Sequence, residues 1–227
     1  MAAIAKTDRA KPDMKERILK TADRLFYLQG IRAIGVDTIA AEIGISKRTL
    51  YNHFPSKDAL IEAYLERRFV QPPSEPALSA KTAAEQILAT FDSLERRFAS
   101  DDFRGCPFVN AVAEVGNEDR AVKKIAKAFK ESRRLWFRER LEQLGVAAAD
   151  ALATQLVLLV DGSIAQDLVR DDPAMARAAK EAAKVLLRNA GANVEDAVAA
   201  RPRRKARKRA TRPRSSSRTK EAQIRDP

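Results

Sequence analysis

The chain of 227 residues contains a single cysteine, Cys106, and a single histidine, His53. One cysteine excludes an intramolecular disulfide and fits a reducing cytoplasm, and one histidine cannot by itself build a zinc site or a Ser-His-Asp triad. The sequence also lacks a nucleophile–base pair, metal-ligand spacing and a phosphate-binding glycine loop. We therefore expect no enzyme, no metal and no cofactor.

Glycine and proline are scarce as well, with 8 and 10 residues, so few turn clusters interrupt the helical patterns. No run of about 18 or more apolar residues is present, and residues 1–11 lack the apolar core of a signal peptide. These absences predict an almost all-α protein in the cytoplasm, without a membrane span.

The formal net charge of +12 is unevenly distributed along the chain. Residues 201–227 hold 12 Lys and Arg against 2 acidic residues, whereas residues 1–200 are nearly neutral, with 31 against 29. Because the segment 193–227 has no apolar periodicity, we expect a disordered basic tail there. Two roles stay open for this tail: nonspecific DNA affinity through counterion release, or a solvated segment without a specific role.

Residues 35–58 have the pattern of two short helices joined by a tight turn. Gly44 accepts the left-handed backbone of such a turn, Ser46 can cap the second helix, and Pro55 ends it. The inner faces of the two helices, at helical spacing, comprise Ile39, Ala40, Ile43, Leu50 and Phe54. This arrangement is typical of a helix-turn-helix.

Cations stand at helix starts in this motif, where the helix dipole disfavours them. Lys47 and Arg48 follow the cap of the second helix, and Lys57 opens the next helix. A polyanion near both helix starts explains the placement, because phosphates bind free N–H groups there and cations add to the attraction. A solvated basic face is the alternative, but the motif around these cations favours DNA.

The motif belongs to a longer phrase with fixed spacings, Ile39-Ala40-x-x-x-Gly44-Ile45-Ser46-Lys47-x-Thr49-Leu50-Tyr51-x-x-Phe54-x-Ser56-Lys57-x-x-Leu60. Upstream stands Arg17-Ile18-Leu19-x-x-Ala22-x-x-Leu25-Phe26-x-x-x-Gly30. With these phrases, residues 13–65 resemble the N-terminal domain of the TetR/AcrR family of bacterial transcriptional regulators. The resemblance implies a homodimer that places one recognition helix per subunit in successive major grooves, and repression that a small ligand relieves.

The resemblance and the motif place a set of residues at the DNA: Thr38, Lys47, Arg48, Thr49, Tyr51, Asn52, His53 and Lys57. Arg48 occupies a position where the family often has glycine or another small residue, and an arginine there suits a bidentate contact with guanine. Gly35 occupies a position where the family usually has Ser or Thr as cap and phosphate ligand. The motif therefore lacks one hydroxyl group that the family usually has as cap and phosphate ligand.

The first strong break after the motif, residues 71–76, marks the expected domain boundary. We expect a flexible arm over 1–11, a three-helix DNA-binding domain with a helix-turn-helix over 12–70, and a helical effector-binding and dimerisation domain over 77–192. The helical patterns beyond the motif span 57–70, 80–99, 106–115, 118–144, 148–170 and 173–190. The last two are strongly apolar, which fits either a dimer interface or burial within one subunit.

The middle helices are expected to enclose an effector pocket, with the candidate lining residues Phe91, Phe98, Phe108, Asn110 and Trp136. An aromatic stripe at helical spacing more often belongs to an ordinary core than to a binding site, so both interpretations stay open. Cys106 invites a thiol-sensor hypothesis, but the neighbouring Pro107 favours a buried, inert thiol.

The sequence thus predicts a DNA-binding transcriptional regulator, a repressor that an unknown small-molecule effector releases from its operator. Its expected partners are double-stranded DNA, a second copy of the chain and the effector, with no membrane. The expected location is the cytoplasm, at the bacterial nucleoid when bound to DNA. The alternative is an architectural DNA-binding protein that relies on its basic tail.

Overall fold

The computed structural model describes residues 13–70 and 82–193. The predicted arm over 1–11, the predicted domain boundary at 71–76 and nearly all of the predicted basic tail lie outside these residues. What the sequence predicts for these three segments therefore stays a prediction.

The described residues form helices joined by short turns and loops, so the predicted all-α fold class is confirmed. The helices are α1 Met14–Gln29, α2 Val36–Ile43, α3 Lys47–His53, α4 Lys57–Val70, α5 Ala83–Phe98, α6 Pro107–Val115, α7 Arg120–Gln143, α8 Ala149–Arg170 and α9 Ala174–Asn189. Each helical range that the sequence predicted agrees with these bounds to within three residues at either end.

The four N-terminal helices share one apolar core. Its members are buried side chains of all four helices: Ile18, Ala22, Leu25, Phe26, Ile39, Ala40, Leu50, Leu60, Ile61, Tyr64 and Leu65. Gly44 ends α2 with φ of +73°, and its N–H and that of Ile45 bond back to the carbonyls of Ala41 and Ala40. This left-handed turn, which favours glycine, sets the angle between α2 and α3.

Helices α5 to α9 pack as a bundle in which α8 lies between α7 and α9, and α9 also packs on α5. Phe91 of α5 and Phe137 of α7 are fully buried within it. Helix α4 contacts both α6 and α7. Because α4 also packs on α1, it joins the N-terminal helices to the bundle.

Helix α8 is, within the described ranges, long and apolar enough to cross a membrane by length and composition only. That is weak evidence, because the core helix of a soluble protein passes the same test. The sequence predicted both the length of this helix and its strongly apolar character. Part of its apolar surface is exposed, including Leu158 at 65% and Val169 at 85%.

Candidate nucleic-acid interface and effector cavity

The outer face of α3 presents polar side chains to solvent. Arg48, Tyr51 and Asn52 are exposed, and none of them forms a side-chain hydrogen bond with another residue of the described ranges. Leu50 and Phe54, on the opposite side, are buried at 0% and 3% exposure. The helix therefore uses its apolar side to dock on the core and holds its hydrogen-bonding side available for a partner.

The start of α3 is fixed by its cap. The hydroxyl of Ser46 accepts a hydrogen bond from the Thr49 N–H at 3.1 Å, and the two hydroxyl oxygens lie 2.9 Å apart. Among the other residues predicted at the DNA, Thr38 of α2 is exposed and His53 is half-buried. The Thr49 hydroxyl is thus engaged with the cap, while that of Thr38 forms no hydrogen bond within the described residues.

Both lysines predicted to contact phosphate have protein partners. Lys47 forms an ion pair with Asp37 at 3.0 Å, and that hydrogen bond raises the pKa of Lys47. Lys57 donates from its ammonium group to the carbonyl of Ile31 at 2.7 Å, and burial lowers the pKa of Lys57. DNA phosphates would have to share or replace these partners. Arg48 differs, since it has no such partner in the described part of the chain.

A cavity of about 580 Å³ lies where the end of α4 meets helices α5 to α8. Ligand sites in proteins typically have volumes of roughly 300–1,000 Å³. The walls combine aromatic rings with polar and charged groups: Arg68, Phe69, Thr90, Ser93, Leu94, Arg97, Gly105, Cys106, Pro107, Phe108, Phe129, Lys130, Ser132, Arg133, Trp136, Phe137, Asp161 and Ile164. The cavity is therefore large enough for a small organic molecule.

Two of the predicted pocket residues, Phe108 and Trp136, line this cavity. Phe91 and Phe98 lie in the bundle core at 1% and 2% exposure, and neither reaches the cavity wall. Asn110 also lies off the wall, and its amide donates to the carbonyl of Arg104 at 2.6 Å. Periodicity alone could not separate rings that line the cavity from rings that are buried in the core of the bundle.

Sequence reasoning missed part of the wall that α7 provides. Phe129 and Arg133, four residues apart, both line the cavity. A basic residue inside an apolar stripe of a helix was the signal that could have identified Arg133, because a cation is rarely placed there unless it has a partner.

Hydrogen bonds join α1 to both ends of α6. The hydroxyl of Tyr27 donates to the Gly105 carbonyl at 3.1 Å and accepts from the Arg104 N–H at 3.0 Å. After α1, the Arg32 N–H donates to the Glu114 carboxylate at 2.9 Å. Because Gly105 lines the cavity, the Tyr27 bonds connect the N-terminal helices directly to the cavity wall.

The terminal part of α4 makes a second connection. Arg68 lines the cavity, forms an ion pair with Asp23 of α1, and lies with its guanidinium carbon 4.3 Å from the centre of the Tyr27 ring. Phe69 lies beside it on the wall, with its ring 5.9 Å from that of Phe129. A molecule in the cavity would thus contact the same helix that begins at Lys57.

Known protein families match both halves of this architecture. Residues 18–64 match bacterial regulatory proteins of the tetR family, and residues 83–182 match the C-terminal domain of LmrA/YxaF-like transcriptional regulators. The transcriptional regulator LmrA of Bacillus subtilis is 32% identical over 160 residues, which cover 67% of this chain and 85% of LmrA. This chain belongs to the TetR family.

Other TetR-family proteins align over similar lengths. The regulator YxaF of Bacillus subtilis is 26% identical over 195 residues, covering 80% of this chain and 99% of YxaF. The crystal structure of a TetR-family transcriptional regulator from Streptomyces coelicolor superposes with a TM-score of 0.71 at 33% identity, over 78% of this chain and 95% of that one. The chain is therefore a sequence-specific, DNA-binding transcriptional regulator of the helix-turn-helix type.

Gly35 departs from the TetR-family pattern without a structural need for glycine. It precedes α2 with φ of −83°, no side chain caps this helix start, and an added Cβ would meet nothing closer than 4.0 Å. We expect Gly35→Ser to raise the stability by a few tenths of a kcal/mol through capping and to tighten operator binding severalfold through a phosphate contact. Thermal unfolding and fluorescence anisotropy on an operator fragment measure the two effects. A Gly35→Ala protein, which adds the Cβ but no hydroxyl, is the control and should not gain affinity.

The thiol of Cys106 lies on the cavity wall and is 8% exposed. The residue precedes α6 and makes no side-chain cap hydrogen bond there. This burial agrees with the expectation of an inert thiol, while the response of the thiol to oxidants stays a prediction.

Proposed function

We propose that this TetR-family regulator is a homodimeric repressor that leaves its operator when a small organic molecule occupies the cavity. Residues 12–70 then form the DNA-binding domain, and residues 77–192 bind the effector and the partner subunit. The observation that carries this proposal is the position of α4, which begins with Lys57 beside the α1–α2 turn and ends with Arg68 and Phe69 on the cavity wall.

Release requires that the effector bind one arrangement of α4 more tightly than another. A ligand with equal affinity for both arrangements leaves the equilibrium between them unchanged. A molecule that displaces Phe69 or Arg68 changes the contacts of Arg68 with Asp23 and Tyr27 on α1. The orientation of the DNA-binding helices relative to the bundle changes with them. In a dimer, this alters the distance between the two α3 helices and hence their fit to two half-sites.

The proposed dimer contact is the outer face of α8 and α9. Leu158 and Val169 of α8 and Val185 of α9 are exposed at 65%, 85% and 51%. An apolar face of this kind marks an interaction surface. A second copy of the same face covers it in a four-helix bundle with twofold symmetry, and operators with two half-sites call for such a dimer.

The chain's only tryptophan provides a direct test of the effector role. Since Trp136 lines the cavity, its emission reports which compounds of a chemically diverse panel bind there. We expect those compounds to weaken operator binding about 5- to 150-fold, the usual range of allosteric coupling. Compounds that saturate the change in Trp136 emission while leaving the operator affinity unchanged would contradict the proposal.

The Tyr27 hydroxyl should carry part of this coupling. A Tyr27→Phe protein keeps the ring under Arg68 but loses the bonds to Gly105 and Arg104. We expect it to bind the operator as the wild type does and to lose about 1 kcal/mol of coupling, or roughly fivefold of the effector's effect. Operator titrations with and without a cavity-binding compound measure the coupling.

Tyr64→Phe is the matched control, since it removes a hydroxyl that forms no hydrogen bond within the described residues. The Tyr64 ring is 2% exposed and packs on Phe26, so the replacement keeps the core intact. Equal coupling in the Tyr27→Phe protein and the wild type would exclude the Tyr27 hydroxyl from the path.

As for most proteins of its family, we propose no catalytic activity and no cofactor for this chain. Its proposed place is the bacterial cytoplasm, and the nucleoid when it is bound to DNA. Isolation of the chain in a chromosome-bound fraction that shrinks when a cavity-binding compound is added would support this location.

A further inference from the structure

The walls of the cavity carry more positive than negative charge. Among the described residues, four cationic side chains line it, Arg68, Arg97, Lys130 and Arg133, against one carboxylate, Asp161. The Asp161 carboxylate is held by Lys130 at 2.5 Å, across the contact between α7 and α8. The cavity therefore has an excess of positive charge that its own carboxylate does not balance.

Among the described residues of the wall, Arg133 is the cation that lacks a charged partner and is only partly exposed to solvent. It forms no hydrogen bond or ion pair with the residues of 13–70 and 82–193. Its guanidinium carbon lies 5.2 Å from the centre of the Phe129 ring. Burial lowers the pKa of Arg133, and the nearby Asp161 carboxylate only partly opposes this effect. A desolvated guanidinium without a hydrogen-bonded anion is costly, so this position suits a ligand that supplies one.

The other cations in the cavity wall are less suited than Arg133 to bind an anionic ligand. Arg68 is ion-paired with Asp23, and Lys130 with Asp161. Arg97 is exposed to solvent and lies 5.7 Å from the centre of the Phe103 ring. Arg133, at the middle of the α7 wall, thus has the least compensated charge.

Aromatic rings surround this charge. Phe108 and Phe129 stack with ring centres 3.8 Å apart, Phe69 meets Phe129 edge to face, and Trp136 meets Phe137 edge to face at 5.1 Å. Such walls bind a flat apolar body, while a planar guanidinium with several N–H donors binds a carboxylate in two parallel hydrogen bonds. The first turn of α6 at Pro107 and Phe108 also lines the cavity and adds the positive end of a helix dipole.

We propose that the effector is an organic anion, an aromatic or similarly flat apolar body bearing one carboxylate, whose carboxylate binds Arg133. This inference rests on the proposed function of the cavity and names the chemical class that the cavity selects. A neutral molecule of the same shape leaves Arg133 without an anion, and a cationic one meets repulsion from the excess positive charge.

Three compounds with one ring system and three charges test the proposal: naphthoate, naphthamide and protonated naphthylmethylamine. Their affinities for the full-length protein without DNA are measured by Trp136 emission and by calorimetry. We expect naphthoate to bind at least about tenfold more tightly than naphthamide, the ratio that a charge-assisted hydrogen bond supplies, and the amine to bind most weakly. Acetate, which has the charge but no ring, should not displace naphthoate.

Variants of α7 assign the preference to one residue. Arg133→Gln should lose the preference for naphthoate over naphthamide, and Arg133→Lys, which restores a charge in the same place, should recover part of it. Arg138→Gln removes an exposed guanidinium that pairs with Glu142 on the same helix, and it should keep the full preference. If the Arg133→Lys protein recovers the preference, the Arg133→Gln protein lost it through loss of charge and not through loss of folding.

Equal binding of naphthoate and naphthamide, or a preference that persists in Arg133→Gln, would overturn the proposal while leaving an effector role for the cavity intact. Binding of none of the three would overturn the proposal and count against the cavity as a ligand site. A preference for naphthoate that depends on Arg133, without any effect of naphthoate on operator binding, would support the assigned chemistry and contradict ligand-induced release.

Discussion

A Leu158→Glu protein is expected to be monomeric and to bind operator DNA about a hundredfold to ten-thousandfold more weakly than the wild type. Leu158 is 65% exposed on the outer face of α8, at the proposed contact between two copies. A glutamate on both copies places two desolvated like charges in an apolar interface. A monomer binds only one half-site, so it loses the affinity that a dimer gains by binding two half-sites at once.

Sedimentation velocity measures the association state, and fluorescence anisotropy on an operator fragment measures the affinity. Leu135→Glu is the control, because Leu135 is a 44% exposed leucine on α7 rather than on the α8–α9 face. That protein should stay dimeric and bind normally. A dimeric Leu158→Glu protein with wild-type affinity would show that the subunits meet elsewhere.

An Arg48→Ala protein is expected to lose about tenfold or more in operator affinity and, more tellingly, its preference at one base pair of each half-site. A bidentate contact between arginine and guanine contributes about 1–3 kcal/mol of discrimination. Arg48 is exposed, lies on the outer side of α3, and forms no side-chain hydrogen bond within the described residues. The fold should therefore tolerate its loss, which circular dichroism checks.

A Lys47→Ala protein provides the comparison, because Lys47 is expected to contact a phosphate and not a base. Loss of a phosphate contact weakens binding to all sequences alike and lowers the salt dependence of binding. Since Lys47 already pairs with Asp37 at 3.0 Å, we expect its loss to cost less affinity than the loss of Arg48 and to change no base preference. Titrations against fragments substituted at each position of a half-site separate the two effects. An unchanged base preference in Arg48→Ala would exclude the arginine from base recognition.

The helices and turns could be predicted well because the sequence patterns that specify them lie within short stretches of the chain. The spacing of Ile18, Ala22, Leu25 and Phe26 marks the inner face of α1, and all four side chains are buried. Gly44 adopts the left-handed conformation that the turn before α3 requires. Apolar spacing and helix ends depend on neighbouring residues, so they can be read from the sequence.

The candidate sites depend on long-range contacts, and the sequence alone could indicate them only in part. Lys57 was predicted at a phosphate, yet its ammonium group bonds to the carbonyl of Ile31, 26 residues earlier. Phe91 and Phe98 share the helical spacing of cavity-lining rings but lie in the core. Within the part of the chain that the structure describes, no other helix places an acidic side chain in an ion pair with Arg133, and the sequence of one helix cannot reveal this.

Selection of the genomic fragments that the full-length chain binds tests the central claim most directly. The account predicts one shared sequence with two half-sites related by a twofold axis and centred about 10 base pairs apart, or a multiple of that. The footprint on this sequence should survive removal of residues 194–227. Fragments without a common sequence, or a footprint that disappears with those residues, would instead indicate an architectural protein that binds through its basic C-terminal segment.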